Sequence, residues 1–168
     1  HEALLGFSRL ELLEIKDGWG HSRKVHIGDT LGKLKSLRNL KIMLDPLYNC
    51  YLPSNFFELE NLEVLKLQGT FAKSKMSALS DLKELRLLDI SGSNISHLSN
   101  KMERLQKLLL LETQYNKSTE NPLEIPQSVN KIKGLFKTYE TVEAKTKPLD
   151  SIAATLSKLI FFAISIIL

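Results

Sequence analysis

Four histidines, one cysteine and 19 carboxylates are the side chains with which this 168-residue chain could do acid–base, nucleophilic or metal chemistry. Their spacing does not assemble such a site. His1, His21, His26 and His97 fall at the terminus or in loops, with no ligand spacing between them and no cysteine partner. Cys50 stands alone, so it forms no internal disulfide and reads as a small buried side chain. Serine and glutamate are abundant, but never in a nucleophile elbow. No Gly-x-x-x-x-Gly-Lys-Ser/Thr run is present to cradle a phosphate, and Gly18-Trp19-Gly20 reads as a loop without a ligand. The chemistry left to these residues is recognition, and that depends on which of them face outward together.

The elements that would position them come from a repeat. The pattern apolar-x-x-Leu-x-x-Leu-x-x-Leu-x-Leu runs through Leu31, Leu34, Leu37, Leu40 and Ile42. It returns at Phe56, Leu59, Leu62, Leu65 and Leu67, then at Leu79, Leu82, Leu85, Leu88 and Ile90. Met102, Leu105, Leu108, Leu111 and Thr113 form a further copy. Leu4, Phe7, Leu10, Leu13 and Ile15 fit upstream. Downstream stand Val129, Ile132, Leu135, Thr138 and Glu140, then Ala153, Leu156, Leu159, Phe162 and Ile164. The fourth position falls at 13, 40, 65, 88, 111, 138 and 162, in steps of 27, 25, 23, 23, 27 and 24 residues. Steps of 20–29 residues are those of leucine-rich repeats. Of the first four positions in every copy only Thr138 is polar, although the chain is 43% hydrophobic.

Geometry gives the pattern its meaning. In Leu65-Lys66-Leu67 the leucines point to one face of a strand and Lys66 to the other. One copy cannot bury its leucines alone, so copies stack and pair their strands in parallel. Leu52-Pro53-Ser54 and Ile125-Pro126-Gln127 punctuate the outer side, since proline fixes φ and cannot donate to a ladder. An amphipathic helical protein fits less well, because the spacing drifts off a 3.6 period and ends in strand-like alternation. The expected fold is α/β: one leucine-rich-repeat domain over residues 1–168, an arc with about seven short parallel strands on its concave side. Its convex side is irregular or in short helical turns. Strands should centre near Leu13, Leu40, Leu65, Leu88, Leu111, Thr138 and Phe162.

Three columns then face outward. The middle one holds Glu14, Lys41, Lys66, Asp89, Glu112, Tyr139 and Ala163. One residue earlier come Leu12, Asn39, Val64, Leu87, Leu110, Lys137 and Phe161. Two residues after the middle come Lys16, Met43, Gln68, Ser91, Gln114, Thr141 and Ser165. The candidate protein-binding surface is Lys41, Lys66, Asp89 and Glu112 with Gln68 and Gln114, beside an exposed apolar stripe of Val64, Leu87 and Leu110. The same stripe could instead pack on flanking segments or on another domain.

The bulk numbers narrow the partners. A net charge of +4, with Lys and Arg interleaved among Asp and Glu, is not the concentrated stripe of a nucleic-acid binder. The apolar tail Leu159–Leu168 has ten residues, and a spanning helix needs about 20. It reads instead as a last repeat. Ala3–Phe7 is too short for a signal-peptide core. Neither end shows a polar cap, so the chain is expected to be a piece of a longer protein. Two glycosylation sequons begin at Asn94 and Asn116; so short a pattern weighs less than the missing cysteine framework.

Several stretches carry a family resemblance. LKELRLLDISGSNISHLS from Leu82 to Ser99 is similar to the plant immune-receptor pattern LxxLRxLDLSGTxIxxLP. LPSNFFELENLEVLKL from Leu52 to Leu67 and IPQSVNKIKGL from Ile125 to Leu135 match LPxxixxLxNLExLxL and IPxSIxKLxxL. Over nearly its whole length the chain most resembles the leucine-rich-repeat region of plant intracellular nucleotide-binding disease-resistance (NB-LRR) proteins. Ras-group repeats, a constitutive signalling scaffold, are second. The general consensus Asn three residues after the last strand leucine is replaced by Asp45, Thr70 and Ser93 and kept only at Asn116. The extracellular hallmark LxGxIP is absent. The resemblance implies a cytoplasmic, non-enzymatic recognition module without cofactor or metal. Its protein partner would be a pathogen effector or the receptor's own nucleotide-binding domain.

Overall fold

The computed structural model describes residues 7–16, 24–71, 76–114 and 123–138. Its organising element is a six-stranded parallel sheet. The strands are β1 (Leu12–Lys16), β3 (Asn39–Met43), β5 (Val64–Gln68), β7 (Leu87–Asp89), β8 (Leu110–Glu112) and β9 (Phe136–Thr138), stacked in that order. Each pairs only with the strand of the repeat before and after it, as the constant step requires. Leu13, Leu40, Leu65, Leu88 and Leu111 are in register across the sheet. The seventh expected strand, near Phe162, lies outside the described residues.

Between strands the chain crosses to the other side of the solenoid in short 3-10 turns, at Leu31–Lys33, Phe56–Glu58, Met76–Asp81, Met102–Arg104 and Gln127–Lys131. Each turn packs against the next. The core lies between turns and sheet. Leu37, Leu62, Leu85 and Leu108 are fully buried there, as are Leu40, Leu65, Leu88 and Leu111. Main-chain bonds lock the stack just before each strand. The Arg38 carbonyl accepts the N–H groups of Glu63 and Val64, the Glu63 carbonyl those of Arg86 and Leu87, and the Arg86 carbonyl those of Leu109 and Leu110.

A second parallel sheet, absent from the sequence reading, joins β2 (Lys24–His26), β4 (Asn49–Tyr51) and β6 (Thr70–Phe71). Val25, Cys50 and Phe71 are its packed positions, and His26 stacks on Tyr51 with ring centroids 4.6 Å apart. Burial pushes the Cys50 thiol up to about 12. Where β5 gives way to β6, Gly69 has φ +118°, and a Cβ there would stand 2.8 Å from the Leu44 carbonyl oxygen. Only glycine meets both conditions.

The sixth repeat corrects the expected frame. β9 pairs Phe136 with Leu110, Lys137 with Leu111 and Thr138 with Glu112. The strand therefore centres on Lys137, one residue earlier than Thr138. Thr138 joins the middle column in place of Tyr139, and Phe136 replaces Lys137 in the apolar column. Gly134, with φ +72°, turns the chain in one residue fewer than the other copies need.

Candidate functional site: the outer face of the sheet

The middle column runs in register Glu14, Lys41, Lys66, Asp89, Glu112, Thr138. Strand alternation turns Glu14, Lys41, Lys66, Asp89 and Glu112 away from the core-packed residues that flank them. Lys66 Nζ donates to Asp89 Oδ2 at 2.6 Å. Asp89 is only 3% exposed, and its Oδ1 accepts the Ser91 N–H at 2.9 Å. These two side chains, read from the sequence as exposed contacts for a partner, thus complete each other. Glu14 is 3.3 Å from Lys16 Nζ. Lys41 and Glu112 have no ion pair among the described residues, and both are half-buried. Burial, and then the negative charge of Asp89, hold the Glu112 carboxyl above the usual carboxylate range, against the pull of Lys66.

The third column edges this face. Gln68 is exposed and Gln114 half-buried. The Gln114 N–H donates to Ser91 Oγ at 3.1 Å, and its carbonyl accepts the Gly92 N–H at 2.9 Å.

The apolar column differs from expectation. Val64, Leu87 and Leu110 are 5%, 2% and 0% exposed and form a buried cluster of their own, with Phe136 packed against it. Strands about 4.8 Å apart set in-register side chains flank to flank, and the shifted β9 brings Phe136 rather than Lys137 to the end of the row. These residues cannot serve as the exposed stripe expected of them. Leu12, at the N-terminal end of the same column, is 55% exposed.

Two further arrangements escaped the sequence reading. Glu63, nearly buried, bridges Arg38 and Arg86, the latter with its Nε 3.5 Å from Glu63 Oε2. These residues immediately precede β3, β5 and β7 and alternate in charge at the repeat spacing, which is the signal that could have found them. The other is a string on the turn side. Ser96 Oγ lies 2.7 Å from His97 Nδ1, and His97 Nε2 lies 4.0 Å from a Glu124 carboxylate oxygen. That carboxylate is beyond hydrogen-bond reach. Ring and carboxylate are 68% and 79% exposed, so water competes at each contact. Among the described residues no three His, Cys, Asp or Glu side chains are grouped to hold a metal ion. No helix there is long and apolar enough to cross a membrane.

No family model matches the chain, and no curated protein matches it. Solved structures do. The ectodomain of the receptor kinase SOBIR1 from Arabidopsis thaliana aligns with 77% of this chain and 67% of its own, at 23% identity and a TM-score of 0.57. The Arabidopsis receptor kinase HAESA, solved with the peptide hormone IDA and the co-receptor SERK1, aligns with 80% of this chain at 23% identity and a TM-score of 0.58. A leucine-rich-repeat protein from Leptospira interrogans aligns with 70% at 21% identity and a TM-score of 0.50. The chain spans only 22% of the HAESA chain and 30% of the bacterial one. At these identities the likeness is one of fold, and the fold is the leucine-rich-repeat solenoid.

Proposed function

We propose that this leucine-rich-repeat arc is a protein-recognition module whose ligand face is the outer side of the six-stranded sheet. One observation carries the reading: the main-chain ladder holds a row of charged side chains in register, with Lys41 and Glu112 left without an ionic partner among the described residues. A rigid row of this kind is preorganised, so little ordering of the protein opposes binding. HAESA, of the same fold, is described in complex with a peptide hormone and a co-receptor, which supports a proteinaceous partner.

Within that reading, the motifs around Leu52–Leu67, Leu82–Ser99 and Ile125–Leu135 favour the leucine-rich-repeat region of a plant intracellular immune receptor. The module then acts in the cytoplasm, either sensing a pathogen effector or restraining the receptor's nucleotide-binding domain. The test is co-precipitation of the chain with the nucleotide-binding domain encoded in its parent reading frame, alongside a cell-death assay in leaves. Reversing charge at Lys41 and Glu112 together should weaken association or release restraint. If that double variant behaves as wild type while turn-side variants at Glu60 and Lys83 alter both readouts, the sheet face is the wrong surface. A parent frame without a nucleotide-binding domain would sink the receptor assignment and leave the recognition reading intact.

A further inference from the structure

Charge on the sheet face is divided in a way that specifies a ligand. Lys66 and Asp89 sit at the centre of the row and neutralise each other at 2.6 Å. Asp89 has little capacity left, since its second oxygen is held by the Ser91 N–H. At one end Glu14 is engaged by Lys16. The open charges are therefore Lys41 on β3 and Glu112 on β8, with the closed pair between them. Lys41 stands in register between Glu14, which Lys16 engages, and the like-charged Lys66. Glu112 has the like-charged Asp89 on one side and Thr138 on the other. Glu112 thus faces repulsion from its own sheet, and a ligand group of opposite sign would complete either open charge.

Resting on the recognition role proposed above, we infer that the ligand is an extended peptide with an acidic and a basic side chain four residues apart, the acid over Lys41 and the base over Glu112. The spacing follows from geometry. β3 and β8 are separated by three strand-to-strand steps, or about 14 Å at about 4.8 Å each. An extended peptide lying across the strands advances about 3.3 Å per residue, so four residues cover about 13 Å. Its side chains alternate, so positions i and i+4 face the sheet together, while i+3 or i+5 turns one charge away. A peptide cannot instead add as a strand at this place, because β3 and β8 are interior strands whose main-chain groups are already paired on both sides. The buried Val64, Leu87 and Leu110 pack in the column beside these charges, on the same strands.

The experiment is selection of binders from a random library of nine-residue peptides displayed against the purified chain. Binders should be enriched in one acidic and one basic residue separated by four positions. Lys41→Glu should weaken a selected peptide about fivefold or more. Replacing the peptide's acid by Lys should restore binding to that variant, which loss of folding could not do. Enrichment at another spacing, no charge preference, or affinity indifferent to both Lys41→Glu and Glu112→Lys overturns the inference. In those cases Gln68→Trp, on the same exposed face, separates the two readings. If it abolishes binding, the face still recognises peptide by other means. If it does not, or if the library yields no binder, the recognition reading fails as well.

Discussion

Glu112 holds an unfavourable position that its neighbours do not fully relieve. Burial comes first among the causes that raise its pKa, Asp89 second, and Lys66 opposes them while committed to Asp89. A carboxyl with a raised folded-state pKa favours folding at pH below its unfolded value, about 4.3 for glutamate. That contribution is lost as pH rises through the folded value. Glu112→Gln should accordingly raise the thermal midpoint at neutral pH and leave it unchanged in acid near pH 3. Melting curves at the two pH values check this, and a loss at neutral pH would mean that the carboxylate has a stabilising partner. Burial acts on Cys50 in the same direction, and its thiol is kept neutral by the core that surrounds it. The residues standing where the consensus has asparagine show how such a position can be filled differently. Asp45 Oδ1 accepts the Leu47 N–H, and Ser93 Oγ accepts the Ile95 N–H. Both make the side-chain turn that short polar residues favour. Asn94, one residue on, accepts the Phe71 N–H at 2.8 Å, which gives the sequon asparagine a structural task.

Whether an element was legible in the sequence depended on how strictly its positions are buried. Leu40, Leu65, Leu88 and Leu111 occupy equivalent slots with no exposed surface, so nothing but an apolar side chain fits there. Hence these four expected strand centres, with the half-buried Leu13 in register beside Leu40, fall where the spacing puts them. The β9 frame failed because Thr138 and Lys137 are both polar, leaving spacing alone to choose between them. The chain instead packs a half-buried Phe136 against the row of Val64, Leu87 and Leu110, at the cost of Lys137 in a leucine slot. Lys137 is half-buried there, and its Nζ reaches Asn130 Oδ1 at 2.5 Å. The second sheet was missed because strands of two or three residues are too short to show a period. Burial of the apolar column was missed because alternation says which way a side chain points and not how closely its neighbours pack. The slot assignment can be measured. Leu88→Ala should cost about 2–5 kcal/mol by leaving a cavity. Lys137→Leu should gain about 0.5–1 kcal/mol by added burial, and Thr138→Leu should change stability by less than about 0.5 kcal/mol. Chemical denaturation of the three variants would refute the corrected register if Thr138→Leu proved the stabilising one.

Across the whole molecule, contacts run from each repeat to its neighbours, strand to strand in both sheets and turn to turn on the opposite side. The carbonyls of Arg38, Glu63 and Arg86, each gripping two N–H groups of the next repeat, bind one coil to another along the axis of the stack. A tension applied between the two ends of the chain is carried through these links in series, so the end coil, with a neighbour on one side only, detaches first. Each coil released lengthens the tether by its step of 23 to 27 residues, roughly 80–90 Å at full stretch. An optical trap should therefore record a sawtooth of evenly spaced, low-force rips that heal in reverse order on relaxation, while a single large rupture would mean that the coils share their load. Such a stack behaves as a spring, able to lengthen one coil at a time under strain while the remaining rows of side chains keep their alignment.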